Sequence, residues 1–194
     1  MNSIAGIRVG PGGAAILGGG QVAPPSAQVD IFVDYMCPYC RRFERDNAAD
    51  IGRLVEDAAV ALIMHPVAIL DRLSGGTLYS TRAAAAAYAV AAGSPAHFMA
   101  FNTALFADQP PEGSHGLSQA QLEQVAKGQG ISQAVAHSFA DERFLNQATQ
   151  ATSQAIEAGL QGTPTVLLTG RERQTYQWDG QRPLTEALAA LAAD

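Results

Sequence analysis

Two cysteines, two residues apart and with no others in the chain, constrain this sequence more than any other feature. They stand in Asp34-Tyr35-Met36-Cys37-Pro38-Tyr39-Cys40, after the apolar run Val29-Asp30-Ile31-Phe32-Val33 and before an amphipathic helical pattern. Pro38 suits the first helical position, where its fixed φ fits the turn and its missing N–H is not needed. Cys37 then becomes the N-cap, its sulfur facing the unpaired N–H groups of Tyr39 and Cys40. A thiolate there also meets the positive end of the helix dipole, so its pKa is expected to fall below that of a free thiol.

The two sulfurs are not expected to be equivalent. Cys40 lies on the stripe that continues through Phe43, Asn47, Ile51, Leu54 and Val55 at steps of three and four residues. That stripe is mostly apolar, which turns Cys40 inward and leaves Cys37 at an exposed tip. Cys37 is therefore the attacking and attacked sulfur, and Cys40 the buried resolving one. Arg41, Arg42 and Arg45 have two readings: positive potential near Cys37, or a solvated face paired with Glu44 and Asp46. Other uses of the cysteine pair fit less well. A zinc site needs two more ligands, and His65, His97, His115 and His137 show no paired metal-ligand spacing. A purely structural disulfide across so short a step would close almost no loop and stabilise little.

At 194 residues the chain fits one domain with a sizeable core, or a small domain carrying an insertion. The formal charge of −6 and the absence of a basic cluster argue against a nucleic-acid partner. No apolar stretch is long enough to span a membrane. The first residues have neither a charged nor an apolar leader region. They read as a cytosolic start, or as a chain whose signal or anchor lies outside it.

Ile7-Arg8-Val9 and Ala14-Ala15-Ile16-Leu17 flank a glycine-rich turn and read as a hairpin, followed by a linker through Pro24-Pro25-Ser26. Gln28 to Val33 reads as a strand covered on both faces, Pro38 to about Asp57 as a helix, and Val60 to Met64 as a second buried strand closed by His65-Pro66. Strand, helix, strand at this spacing makes the two strands parallel. A helix is expected over Thr81–Ala92, and Ser94-Pro95 open the next, with Phe98, Phe101, Leu105 and Phe106 on its core side. Leu117, Ser118, Gln121 and Leu122 combine a capping box with a hydrophobic staple. Ser132 and Asp141 are N-caps of two more helices. The chain returns to strands at Val166-Leu167-Leu168, turns at Gly170-Arg171, continues through Thr175 to Trp178, and ends in a helix with Leu184, Leu188 and Leu191 on one face.

Pro164, in Gly162-Thr163-Pro164-Thr165, stands at a strand entrance, where an X-Pro bond can take the cis form. Together with the cysteine motif and the β-α-β, β-β-α order, this resembles the thioredoxin superfamily, and within it the DsbA-like bacterial thiol–disulfide oxidoreductases. The resemblance covers about residues 28–194. It implies an α/β thioredoxin fold with an inserted all-helical domain: an N-terminal hairpin and linker at 1–27, a thioredoxin-like domain at 28–75 and 160–194, and the insertion at 76–159. It implies that Cys37 and Cys40 are catalytic, that Pro38 and Tyr39 tune them, and that Thr163 and Pro164 lie beside Cys37 and bind an extended substrate peptide by strand addition. No cofactor is implied beyond the redox-active disulfide. Two departures bear on strength: Tyr39 stands where the best-known members carry histidine, and Ile31 where several carry a buried acid. An oxidising potential is expected between a strong oxidant and a glutaredoxin, a span of ~100 mV or roughly 4.6 kcal/mol.

Asp34 has two readings, a proton relay to Cys40 or a cap on the strand–helix turn. His65 is expected to close its strand. The functional expectation is an oxidase of secreted or cell-envelope proteins, monomeric and extracytoplasmic. It acts on unfolded or reduced polypeptides and is reoxidised by a membrane quinone-linked protein, as the resemblance implies. A reductase or isomerase, and a non-catalytic peptide-binding module, are the competing readings.

Overall fold

The strand that leads into Cys37 is the middle of the sheet. In the computed structural model, which describes residues 6–16, 27–56, 60–169, 173–176, 184 and 186, β3 (Ala27–Val33) pairs in parallel with β4 (Val60–Pro66) and antiparallel with β5 (Thr165–Thr169). The order is β2-β1-β4-β3-β5-β6, with β1 (Ile7–Val9), β2 (Ala15–Ile16) and β6 (Arg173–Tyr176) completing it. Val29, Ile31, Phe32 and Val33 are all buried, as a central strand covered on both faces requires. The expected βαβ unit is present, closed by α1 (Pro38–Glu56). The N-terminal hairpin also forms, and β1 pairs antiparallel with β4, so this hairpin extends the sheet.

Between β4 and β5 the chain is helical: α2 (Tyr79–Gly93), α3 (Phe98–Ala107), α4 (Gln119–Gly128), α5 (Gln133–His137) and α6 (Glu142–Glu157). Helix α2 is the axis of this insertion. Ala83 to Ala87, Ala89 and Ala91 are buried all round it, and such small side chains let neighbouring helices approach closely. Phe98, Phe101, Leu105 and Phe106 of α3 are buried as their spacing predicts. The capping box at Ser118 and Gln121 is complete, both halves of it present.

Several local expectations differ. Ser94 makes no cap bond; its hydroxyl meets His97 Nδ1 at 2.9 Å, and a 3-10 turn at Pro95–His97 precedes α3. Asp141 stands at the N-cap of α6, but its side chain makes no capping bond. His65 and Pro66 do not close β4 but lie within it, in register with Phe32 and Val33. His65 is buried there because Asp30 takes its Nε2 at 2.7 Å and Phe32 stacks on its ring at 4.3 Å between centroids. The expected turn at Gly170-Arg171, Trp178, and Leu188 and Leu191 of the final helix lie outside the described residues, as does the side chain of Val55. Leu184 is described, buried, and donates its N–H to Asn47 Oδ1 at 3.1 Å.

Candidate active site

The turn before α1 is built by hydrogen bonds within a few residues. Cys37 N–H donates to Asp34 O at 3.0 Å, and the Cys37 carbonyl accepts from Cys40 N–H at 3.0 Å and Arg41 N–H at 3.2 Å. Cys37 thus opens the helix from the position before Pro38, as an N-cap does. Both cysteines are free thiols in this structure. Cys40 is fully buried and Cys37 only 5% exposed, so the expected ordering of the sulfurs stands while the open tip does not. The exposed residues of the motif are Pro38 and Tyr39, the latter 66% exposed.

Cys37 is covered because the strand-entrance loop folds over it. The Thr163–Pro164 peptide bond is cis, and Cys37 Sγ donates to Thr163 O at 3.2 Å. The Thr163 hydroxyl is buried with no hydrogen-bond partner among the described residues. The Cys37 thiol is lowered from its ordinary 9.0 to about 6. The Cys40 thiol contributes most, burial opposes it, and the Thr163 hydroxyl and the N–H groups of Cys40 and Tyr39 add to the lowering. Burial pushes Cys40 well above its ordinary value, helped by the hydrogen bond to Cys37 and by the neighbouring charge. None of these causes involves Arg41, Arg42 or Arg45. Arg42 and Arg45 pair with Asp46, at 3.5 Å and 2.8 Å, on an exposed face.

Glu44 corrects the other half of that arginine reading. It is buried, accepting from Asn102 Nδ2 at 3.0 Å and Thr103 Oγ1 at 2.9 Å, and pairs with no arginine among the described residues. Asn102 in turn accepts from Tyr35 OH at 3.0 Å, so a polar chain links the motif to α3. Burial raises the Glu44 carboxyl. Neither Glu44 nor the buried Asp30–His65 pair was distinguishable in the sequence, where each looks like an ordinary charged residue in a mixed segment.

Asp34 is fully buried. Its Oδ1 accepts from Met36 N–H at 2.9 Å and Ser80 Oγ at 2.7 Å, and its Oδ2 from Leu70 N–H at 2.9 Å. The carboxylate therefore caps the turn and also ties it to α2 and to the loop after β4. Burial raises it to about 6 against those three donors. Its backbone N–H, not its carboxylate, reaches Cys40 Sγ, at 3.5 Å. A cleft of about 690 Å³ lies between α1 and α3, but neither cysteine lines it. Among the described residues no group of three histidine, cysteine or acidic side chains is placed to hold a metal ion, and no helix is long and apolar enough to cross a membrane.

A thiolate-forming sulfur at a helix mouth, a buried partner and a cis-proline loop over both can exchange disulfides. Comparisons with known proteins agree. A family model described as thioredoxin matches residues 16–185. The reduced DsbA of Mycobacterium tuberculosis superposes with a TM-score of 0.77 at 29% identity, over 97% of this chain and 91% of that one. The reduced disulfide oxidoreductase DsbG of the same organism gives 0.77 at 30% identity, over 97% and 86%. In sequence, the serine/threonine-protein kinase PknE of Mycobacterium tuberculosis is 34% identical over 170 residues, which are 84% of this chain but only 28% of the kinase. The chain thus spans under a third of that relative's length. Matched by the family model over most of its residues, the chain belongs to the thioredoxin family and is built as a thiol–disulfide oxidoreductase of the DsbA and DsbG type.

Proposed function

We propose that this chain is a disulfide oxidase acting on reduced polypeptides outside the cytoplasm. The observation that carries the reading is the placement of the two sulfurs: Cys37 Sγ at the mouth of α1, 3.2 Å from Thr163 O beside the cis Thr163–Pro164 bond, and Cys40 fully buried behind it, an asymmetry that lowers the first thiol and raises the second. A substrate thiolate attacks Cys37 Sγ of the oxidised site. The Cys37–Cys40 bond breaks, and Cys40, a poor thiolate in its buried setting, takes up a proton. A second substrate thiolate then attacks the substrate sulfur of the mixed disulfide and expels Cys37 as a thiolate. The substrate loses two electrons to a new disulfide, and the protein gains them as one thiol and one thiolate.

The low pKa favours this direction because it stabilises the reduced form. At pH 7 a thiol titrating at about 6 gains about 1.4 kcal/mol over an unperturbed one, or roughly 30 mV for two electrons. That is less than the ~100 mV separating a glutaredoxin from a strong oxidant, which supports an intermediate, oxidising potential. Thr163 and Pro164 are assigned to substrate binding through the backbone groups of their loop, and Pro38 and Tyr39 to tuning. For Asp34, the three donors on its carboxylate support a role in holding the turn rather than relaying a proton. Substrates are reduced or unfolded polypeptides. Reoxidation by a membrane quinone-linked protein, a monomeric state and an extracytoplasmic location complete the reading. It is supported by the similarity to DsbA and DsbG. Equilibration with glutathione tests it: a potential above about −250 mV is expected, and a lower one makes the chain a reductase.

A further inference from the structure

The second residue after α3 holds the active-site turn from outside. Gln109 is half-buried, and its Nε2 donates to Tyr35 O at 3.1 Å and to Cys37 O at 2.9 Å. A primary amide nitrogen has two hydrogens, and both are spent on this turn. The two acceptors flank Cys37, one on the residue two before it and one on Cys37 itself. The Cys37 carbonyl already receives the N–H groups of Cys40 and Arg41, so a third donor fixes the plane of the Cys37–Pro38 peptide. The brace is anchored at its own end. Gln109 N–H donates to Phe106 O at 3.3 Å, the Phe106 ring packs on Tyr35 at 5.0 Å, and Pro110 and Pro111 restrict the backbone that follows.

We propose that Gln109 is a positioning residue for disulfide exchange, its side-chain amide setting the orientation of the peptide that carries Cys37 Sγ. This rests on the reading of Cys37 as the reacting sulfur. Gln109 touches no sulfur and acts through the Cys37 backbone. The N–H groups of Tyr39 and Cys40 and the Cys40 thiol stabilise the Cys37 thiolate only when it points at them, and hydrogen bonds weaken steeply with misalignment. A Cys37 peptide freed from its brace can rotate, and part of that stabilisation is lost. The insertion thereby sets a property of a sulfur more than seventy positions earlier in the chain.

Two variants test this. Gln109→Met keeps the length and volume of the side chain and removes both donors. Gln109→Glu turns an acceptor toward two carbonyl oxygens. Thiolate absorbance at 240 nm during a pH titration reads Cys37, and glutathione equilibration reads the reduced–oxidised balance. Gln109→Met is expected to raise the Cys37 pKa by about 0.5–1, which is ~3- to 10-fold less thiolate at acidic pH, with Gln109→Glu moving it further. The glutathione equilibrium should shift toward the disulfide by a similar factor, tenfold being about 30 mV. A lower melting temperature with an unchanged pKa and glutathione equilibrium makes Gln109 merely structural and overturns the proposal. Should Gln109→Glu not fold, Gln109→Met carries the test alone. A wild-type Cys37 titrating like a free thiol would defeat the oxidase reading, while the difference between variant and wild type would still decide this one.

Discussion

The sheet with α1 and the helical insertion meet over the same short stretch, Asp34 to Cys40, and they supply different things. From the first come the reacting atoms and their immediate cover: both sulfurs, the N–H groups at the start of α1, and Thr163 O at 3.2 Å. From the second come side chains that hold the stretch still. Ser80 binds the Asp34 carboxylate, Asn102 the Tyr35 hydroxyl, and Gln109 the carbonyls of Tyr35 and Cys37. The reactive half takes most of its geometry from the proline-started helix, with the Thr163–Pro164 loop laid over it. The holding half needs donors placed from a distance, because a turn of a few residues cannot satisfy all its own carbonyls. The division teaches that the insertion holds the reacting turn in place with its side chains.

The division breaks most visibly at the sulfurs. Cys37→Ser should abolish disulfide exchange outright, whereas Cys40→Ser should leave the Cys37 thiolate able to attack oxidised glutathione, expelling one glutathione thiolate, and should accumulate the mixed disulfide, seen as an added mass on intact protein. Equal loss in both, with no adduct, would mean the two sulfurs are interchangeable. The next effect is a pH dependence confined to the reduced protein. Cys37 has its folded pKa depressed, so the stability it contributes is fully present above its ordinary value of 9.0 and is lost as pH falls through about 6. Reduced protein should therefore gain roughly 2–3 kcal/mol over oxidised protein between pH 6 and 8, measured by denaturant unfolding of both forms. A flat difference would remove the thiolate from the account.

The link between the halves gives a comparable or smaller effect. Asp34→Ala leaves the Ser80 hydroxyl and the Met36 and Leu70 N–H groups without their acceptor, at a cost of at least about 2 kcal/mol by denaturant unfolding. The sign of its pH dependence is opposite to that of Cys37. With its folded pKa raised to about 6, the stability that Asp34 contributes is present below 3.8 and lost as pH rises through about 6. The gap between variant and wild type should narrow over that range. Least affected is the exposed face of α1: Arg45→Ala, breaking an exposed pair with Asp46, should cost under about 0.5 kcal/mol and leave the glutathione equilibrium unmoved. A shift of that equilibrium would restore the arginines as a source of potential at Cys37.

Much of this architecture was legible in order along the chain. Continuous apolar runs located β3 and β4, stripes at three and four residues located α1 and α3, and Ser118 with Gln121 marked the start of α4. Side-chain chemistry at fixed backbone positions does the same for the cysteine turn, since Pro38 dictates where the helix starts and therefore which sulfur lies at its mouth. What failed were inferences about partners. Ser94 and Asp141 occupy cap positions without using their side chains, and Glu44 turned out to be buried against α3 rather than paired with arginine on its own helix.

The strand–turn–helix that carries Cys37 and Cys40 and the inequality of the two sulfurs were legible in the chain alone, because they depend on residues a few positions apart whose geometry the backbone fixes. The parallel pairing across α1 was legible too, from the order and spacing of strand, helix and strand. Only the tertiary structure decided how far Cys37 is covered, which carboxyls are buried, and that Ser80, Asn102 and Gln109 reach back to the motif. Those contacts join residues 46 to 126 positions apart, and no local pattern encodes which distant donor meets an acceptor once the chain has packed.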